Sequence, residues 1–321
     1  MLKPITGAWF EFRHHSAAEG KKYNEALRGF MADQWRAMIE DMHRIGMDTV
    51  VQTCSALVYP DEQVCWAPVD VFPRSDMVCP NAMDVMMRTA EELGMHVFLS
   101  AGFYGLWTDS KGNMRSAEVE KRAKRACETL YASYGSMKSF AGWYLPDETE
   151  AGPYFDPVFI DYTKRYHRFL KTIDESKPIL IAPYGTNKIK NDDKLVRQLE
   201  EIPCDYVAYQ DEVGVQKSTE EQTAEYYHGL MEAHAKAGRS RLWADIEAFD
   251  FEGKVYYSAL LPTRMERLEK QIAAVSPYVD KVLCYAYPGM FSRPGSAAAY
   301  GDPAPEKLYM DYETFLKKIR A

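Results

Sequence analysis

Strand-like and helix-like segments alternate eight times along this chain, and that alternation restricts the fold more than any other feature. The strand-like runs are "ITGAWFEF" (5–12), "DTVVQTC" (48–54), "HVFLSAG" (96–102), "FAGWYL" (140–145), "PILIAPY" (178–184), "DYVAYQDE" (205–212), "RLWADIEAF" (241–249) and "KVLCYAY" (281–287). Between them lie amphipathic stretches. Over 32–45, Trp35, Met38, Ile39, Met42 and Ile45 recur at steps of three and four, which predicts a helix with one apolar face. Further helices are expected over 82–93, between Asn81 and Gly94, over 117–134, from the Asp156-Pro157 pair onward, and near 192–201. Others are expected from a capping box at Ser218 and Glu221, from near Pro262, and over 306–319. The junctions "IGMDTVVQT" and "LGMHVFLSA" read as one helix-to-strand joint used twice.

Strands that alternate with helices form a parallel sheet covered by those helices, and eight units, at about 40 residues each, is the number that closes a barrel. The expectation is α/β, a single (β/α)8 TIM barrel occupying 1–321 as one domain. The competitor, an open doubly wound sheet, often carries a glycine-rich phosphate turn after its first strand, and "EFRHHSA" contains no glycine. No Pro, Gly or Ser-rich linker divides the chain. The long stretches 55–80 and 288–305 follow strands two and eight, on the side where barrels build their sites.

The net charge of -8 and the lack of a Lys/Arg block argue against nucleic acid as a partner, because neutralising phosphates needs a concentrated basic face. The densest basic stretch, "EKRAKRACE", alternates signs as a solvated helix face does. No apolar run reaches the ~18 residues of a membrane span, and "MLKPITGAWF" has no signal-peptide core, so the expected location is soluble and cytoplasmic as the sequence stands, exported if a signal peptide has been removed. The six cysteines are scattered without CxxC spacing and read as free thiols. No P-loop, dinucleotide fingerprint, GxSxG elbow or HExxH motif occurs, so no cofactor or metal is expected, and oligomeric state is not legible.

In a parallel barrel the C-terminal ends of the strands share one mouth, so acids there become neighbours although distant in sequence. Glu11 ends strand one, Asp147 and Glu148 strand four, Asp211 and Glu212 strand six, and Asp245 and Glu247 strand seven. Alternation on strand seven sets Trp243, Asp245 and Glu247 on one face and Ala244, Ile246 and Ala248 on the other. The small apolar face suits the surrounding helices, which sends the acidic face into the barrel, where carboxylates are costly unless bonded, paired or used. Two carboxylates across a mouth can divide labour, one ionised and its partner kept protonated as a general acid. Glycosidic cleavage requires this, with separations of about 5–5.5 Å for retention and 6.5–9.5 Å for inversion. The pair so placed is Glu148 and Glu247.

The strand-four and strand-seven acids resemble those of the large clan of TIM-barrel glycoside hydrolases. More closely, "GAWFEF", "GMDTVV", "GWYLPDE" and "LWADIEAF" resemble a bacterial domain family of unassigned function placed within that clan, over about 5 to 290. The resemblance implies Glu148 as acid/base and Glu247 as nucleophile of a retaining hydrolase of O-glycosidic bonds, with carbohydrate as the partner. In the clan, strand four usually ends Asn-Glu, the Asn bonding a sugar hydroxyl. Here Asp147 takes that place, a departure that puts a charge beside the acid. Tyr209, near the end of strand six, is expected to orient Glu247.

Aromatic faces stack on sugars, and the residues assigned to substrate contact are Trp66 and Trp107 in loops, Trp243 on the acidic face, and Tyr285 with Tyr287 on one face ending strand eight. With them go the acids Glu11, Asp211 and Asp245. His14 and His15 lie near the mouth as further substrate contacts or as loop residues. Two other readings stand beside hydrolysis. One is a metal-dependent sugar isomerase or epimerase holding a cation on Glu148, Asp211 and Glu247, against which stands the lack of a strand-end histidine. The other is a barrel that binds carbohydrate without chemistry.

Overall fold

The computed structural model describes residues 2–320. Eight strands form a closed barrel: β1 (Ile5–Phe10), β2 (Thr49–Gln52), β3 (His96–Ser100), β4 (Phe140–Leu145), β5 (Ile179–Ile181), β6 (Tyr206–Gln210), β7 (Arg241–Glu247) and β8 (Lys281–Tyr285). Each strand pairs in parallel with its neighbours in sequence, and β8 pairs with β1 to close the ring. The predicted (β/α)8 architecture is the one observed.

The barrel interior is filled by one cluster that includes Trp9, Val51, Phe98, Tyr144, Leu180, Ala208, Trp243 and Leu283. The opposite strand faces, among them Ala244 and Ile246, belong to the larger cluster between barrel and helices. Trp35, on the helix Ala32–Arg44, is fully buried edge-on against Phe10, Phe12 and Phe30. Burial of such an aromatic side chain contributes about 1.5–3 kcal/mol, which is why a helix of ordinary propensity docks firmly there.

The repeated joint is real in backbone detail. Gly46 and Gly94 have φ of +83° and +68°. Their N–H groups donate to His43 O and Glu91 O, and the following Met47 and Met95 donate to Met42 O and Ala90 O. This double closure of a helix end needs a left-handed residue, which glycine adopts without a Cβ clash.

Two expectations are corrected. The capping box sits one residue later than predicted: Thr219 Oγ1 accepts from Gln222 N and Gln222 Oε1 from Thr219 N, at the start of the helix Glu220–Ala237. Pro262 does not open a helix but ends a small antiparallel hairpin, Phe249–Phe251 with Leu260–Pro262, and the helix begins at Met265. A second hairpin, Ala56–Val58 with Gln63–Cys65, occupies part of the long stretch after β2.

Gly7 shows how closely the strands approach. A Cβ there would stand 2.5 Å from Thr49 O and 2.7 Å from Leu283 Cδ2, on the two flanking strands. Gly7→Ala is therefore expected to lower stability by about 1–3 kcal/mol through overpacking. Urea unfolding would show this as a reduced midpoint at constant slope, and an unchanged midpoint would mean that the barrel yields at this point.

Candidate active site

A cleft of about 450 Å³ opens at the C-terminal ends of the strands, with Glu148, Tyr144, His15, Trp107, Tyr184 and Tyr285 in its walls. A larger depression lies against one side of the helix Ala117–Tyr134 and is lined by its outward Glu, Lys and Arg side chains. It is a solvated helix face.

Glu148 follows β4 on the loop that leaves the barrel, and Tyr144, inward-facing on that strand, donates its hydroxyl to Glu148 Oε1 at 3.2 Å. Tyr144 is in turn set by edge-on contact with Trp9 at 5.9 Å. Burial pushes the Glu148 carboxyl up to about 7, with Tyr144 and Gln210 as donors opposing the shift and Asp147 adding to it. Glu148 is thus half-protonated near neutrality and partly open to the cleft.

Glu247 ends β7. Its side chain is 4% exposed, Oε2 accepts from Val215 N at 2.8 Å, and the carboxylate is not among the groups that wall the cleft. Burial raises its pKa, and the charge of Asp211 raises it further. The expected arrangement of one raised and one ordinary carboxylate, set by their mutual charge, is therefore not what the site contains. Both are raised, and burial is the largest cause for each.

Asp211 does not face the cleft. Its Oδ1 accepts from Glu247 N at 3.1 Å and Val213 N at 3.3 Å, and its Oδ2 from Gln271 Nε2 at 2.7 Å. With both oxygens engaged, it ties β6 to β7 and to the helix Met265–Val275 and holds the backbone N–H of Glu247. Asp245 points into the barrel, in register with Leu283 of β8. Its Oδ1 is buried without a partner. Burial, with the charges of Glu247, Asp211 and Glu148, holds its carboxyl well above the usual range.

Asp147 is turned away from the cleft. Its Oδ1 accepts from Asn113 Nδ2 at 3.0 Å and its Oδ2 lies 3.5 Å from Tyr162 Oη, because successive residues leaving β4 alternate and Glu148 takes the inward side. Tyr209 is also corrected. Ala208 faces inward on β6, so Tyr209 faces the helices, where its hydroxyl meets His234 Nε2 at 3.2 Å. Trp243 does face inward but stacks on Tyr206 at 4.1 Å, in register with Lys281 at the start of β8. Four residues of strand, roughly 13 Å, separate it from Glu247, so it closes the barrel floor.

Trp66 is 4% exposed within the excursion after β2, beside Cys65 and Arg74, and supports that loop. Tyr287 is 1% exposed and stacks on Phe291, whose ring meets Tyr312 of the last helix. Tyr285 and Ala286 both reach the interior cluster, so the alternation that would have kept Tyr287 beside Tyr285 is broken. Trp107 and Tyr285 line the cleft. Glu11 lies fully buried behind it, with Oε1 accepting from Tyr23 at 2.9 Å and Oε2 from Tyr285 at 3.2 Å. Burial pushes its carboxyl up to about 7.

Sequence reasoning missed Tyr144, Tyr184 and the Val215 N–H. The first two were open to the same strand-end criterion that found the acids. A backbone donor leaves no sequence signal. Among the described residues all six cysteines are free and buried, and no helix is long and apolar enough to cross a membrane.

A closed ring of eight parallel strands with a carboxylate-bearing cleft at its mouth defines a TIM barrel. The chain belongs to the family described as "Domain of unknown function (DUF4434)", which matches residues 5–298. A comparison with curated proteins found no match. Among solved structures, a protein from Bacteroides thetaiotaomicron VPI-5482 described as a "putative alpha-L-fucosidase" is 20% identical with a TM-score of 0.75, over 98% of this chain and 94% of that one. The endo-beta-1,4-mannanase from Thermotoga petrophila is 12% identical with a TM-score of 0.60, over 100% of this chain and 78% of that one. The endo-1,4-beta-mannanase from Rhizomucor miehei is 11% identical with a TM-score of 0.60, over 99% and 95%. At these identities the likeness is one of fold.

Proposed function

We propose that this protein hydrolyses O-glycosidic bonds of a carbohydrate held in the mouth cleft, by a retaining route with Glu148 as acid/base and Glu247 as nucleophile. The observation that carries the reading is Glu148 itself, a carboxyl on the cleft wall with its pKa raised to about 7. It is a proton donor at neutral pH where a ring can stack on Trp107, Tyr184 or Tyr285. Glu148 gives its proton to the glycosidic oxygen as the C–O bond breaks and Glu247 bonds to the anomeric carbon. Water then attacks that carbon, Glu148 takes the water's proton, and Glu247 leaves as the carboxylate. The test is a panel of aryl glycosides and polysaccharides with product stereochemistry followed by NMR. Release of the anomer opposite to the substrate's would overturn the retaining route, and no turnover of any glycoside would overturn the reaction.

The pH profile carries a second test. Glu148 must hold a proton, so activity falls towards alkaline pH. Glu247 must be ionised, and because its own pKa is raised as well, the form with Glu148 protonated and Glu247 ionised is a minor fraction, which confines activity to a narrow band of pH around neutrality. In Asp211→Asn the like charge beside Glu247 is gone and its pKa falls, so a larger fraction of the enzyme holds Glu148 protonated with Glu247 ionised, and kcat/KM at the pH optimum is expected to rise severalfold. The side-chain oxygen still accepts from Glu247 N and Val213 N, and a flip of the Gln271 amide turns its unpartnered Oε1 to the new amide N–H in exchange for the bond from Nε2 to Glu247 O. An unchanged pH optimum with an unchanged maximum would remove Asp211 from the titration of Glu247.

One observation favours the non-catalytic reading: Glu247 is 4% exposed and spends an oxygen on Val215 N–H. A barrel that binds sugar without turning it over would show saturable oligosaccharide binding with no product across the whole panel.

A further inference from the structure

We propose that Glu11, His14 and His15 form a binding site for one divalent transition-metal ion in the wall behind the cleft. One donor atom from each lies within 4.8 Å of the other two. Two of the nitrogens, His14 Nε2 and His15 Nδ1, are buried with no hydrogen-bond partner, and the His14 residue is 1% exposed. Buried polar atoms without a partner are few in folded proteins, and two on adjacent histidines beside a carboxylate are the donor set that an ion would satisfy.

The surroundings hold these side chains in place as outer-shell groups do. His14 N donates to Asn24 Oδ1 at 2.8 Å while Asn24 Nδ2 donates to His14 O at 3.2 Å, and Tyr59 donates to His15 O at 2.8 Å, so the backbone of both histidines is pinned. Each Glu11 oxygen receives a tyrosine hydroxyl and keeps a lone pair free. His14 Nδ1 accepts from Ser16 N at 3.0 Å and lies 3.2 Å from Ser16 O, so loading requires the tautomer in which the proton moves to Nδ1, shared with Ser16 O, and leaves Nε2 as the ligand. Glu19 Oε2, 3.8 Å from that Nε2, supplies a further carboxylate.

Two imidazoles and a carboxylate select a first-row ion such as Zn²⁺ or Mn²⁺ over the all-oxygen ions Ca²⁺ and Mg²⁺. Metal–ligand bonds of about 2.0–2.2 Å require the donors to close slightly. The imidazoles are stacked at 4.4 Å, so one ring must turn out of the stack on loading. His15 is the one with room, since it walls the cleft against Trp107 at 4.7 Å. Loading therefore changes the surroundings of Trp107.

The experiment uses full-length protein stripped with EDTA and titrated with Zn²⁺ and, separately, Mn²⁺. Bound metal is counted by elemental analysis after dialysis, and tryptophan emission is followed throughout. The expected result is one equivalent per chain for at least one ion, with a change in emission. Affinity should fall by at least about tenfold in both His15→Gln and Glu11→Gln, with circular dichroism reporting the fold of each. His15→Gln is the decisive variant because its side chain is partly exposed. No stoichiometric binding of either ion, or equal binding by folded His15→Gln, overturns the site. Glu148→Gln is expected to bind metal as wild type does, so loss of hydrolysis and loss of metal are read separately.

Discussion

Glu148→Gln is expected to lower kcat/KM by about 10²–10⁴-fold on glycosides with poor leaving groups, the range supplied by a positioned general acid. The amide keeps the size of the side chain and still accepts from Tyr144, so the cleft wall is expected to hold its shape while its proton is lost. The loss should depend on the leaving group: a nitrophenolate departs without protonation, so bond cleavage on such substrates should be hurt far less. The alkaline limb of the pH profile, which reflects loss of the proton from this carboxyl, should vanish with it. Wild-type rates on an alkyl glycoside, or an alkaline limb that persists, would strip Glu148 of its role.

Glu247→Gln is expected to be the more severe change, about 10⁴-fold or more for every substrate regardless of leaving group, because a neutral amide does not form the covalent intermediate. The fold should survive. An amide oxygen still accepts from Val215 N–H, and the bonds that hold the strand end, from Arg267 and Gln271 to Glu247 O and from Glu247 N to Asp211, involve only backbone atoms of residue 247. Trapping the glycosyl-enzyme with a slow fluorinated substrate and mapping the labelled peptide gives a direct answer. A label on any side chain other than Glu247 would move the nucleophile, and Glu11, behind Tyr285, would be the next carboxylate to test.

The strand and helix order was legible because periodicity is local: the helix Ala117–Tyr134 and strand Phe140–Leu145 fall where the pattern puts them. The inward phase of β7 was legible as well, since Ala244 and Ile246 suit a helix-covered face and acids do not. Phase failed where both neighbours were polar or aromatic. Nothing in "DYVAYQDE" separates Tyr209 from Gln210, and nothing in "PDE" says which acid turns inward. Loop tryptophans were equally mute: Trp66 and Trp107 look alike in sequence, and only the folding of the excursion after β2 buries one while the other walls the cleft.

By itself the sequence determined that the chain closes into eight units and that several carboxylates gather at one end of the barrel, because both follow from patterns written within a dozen residues. Only the tertiary structure decided what each carboxylate became: Asp211 saturated by three donors, Asp245 buried with an unmatched oxygen, Glu247 tied to Val215, and Glu148 open to the cleft. The reason is that desolvation and hydrogen-bond partners come from strands, loops and helices far apart in sequence, and these set whether an acid holds its proton.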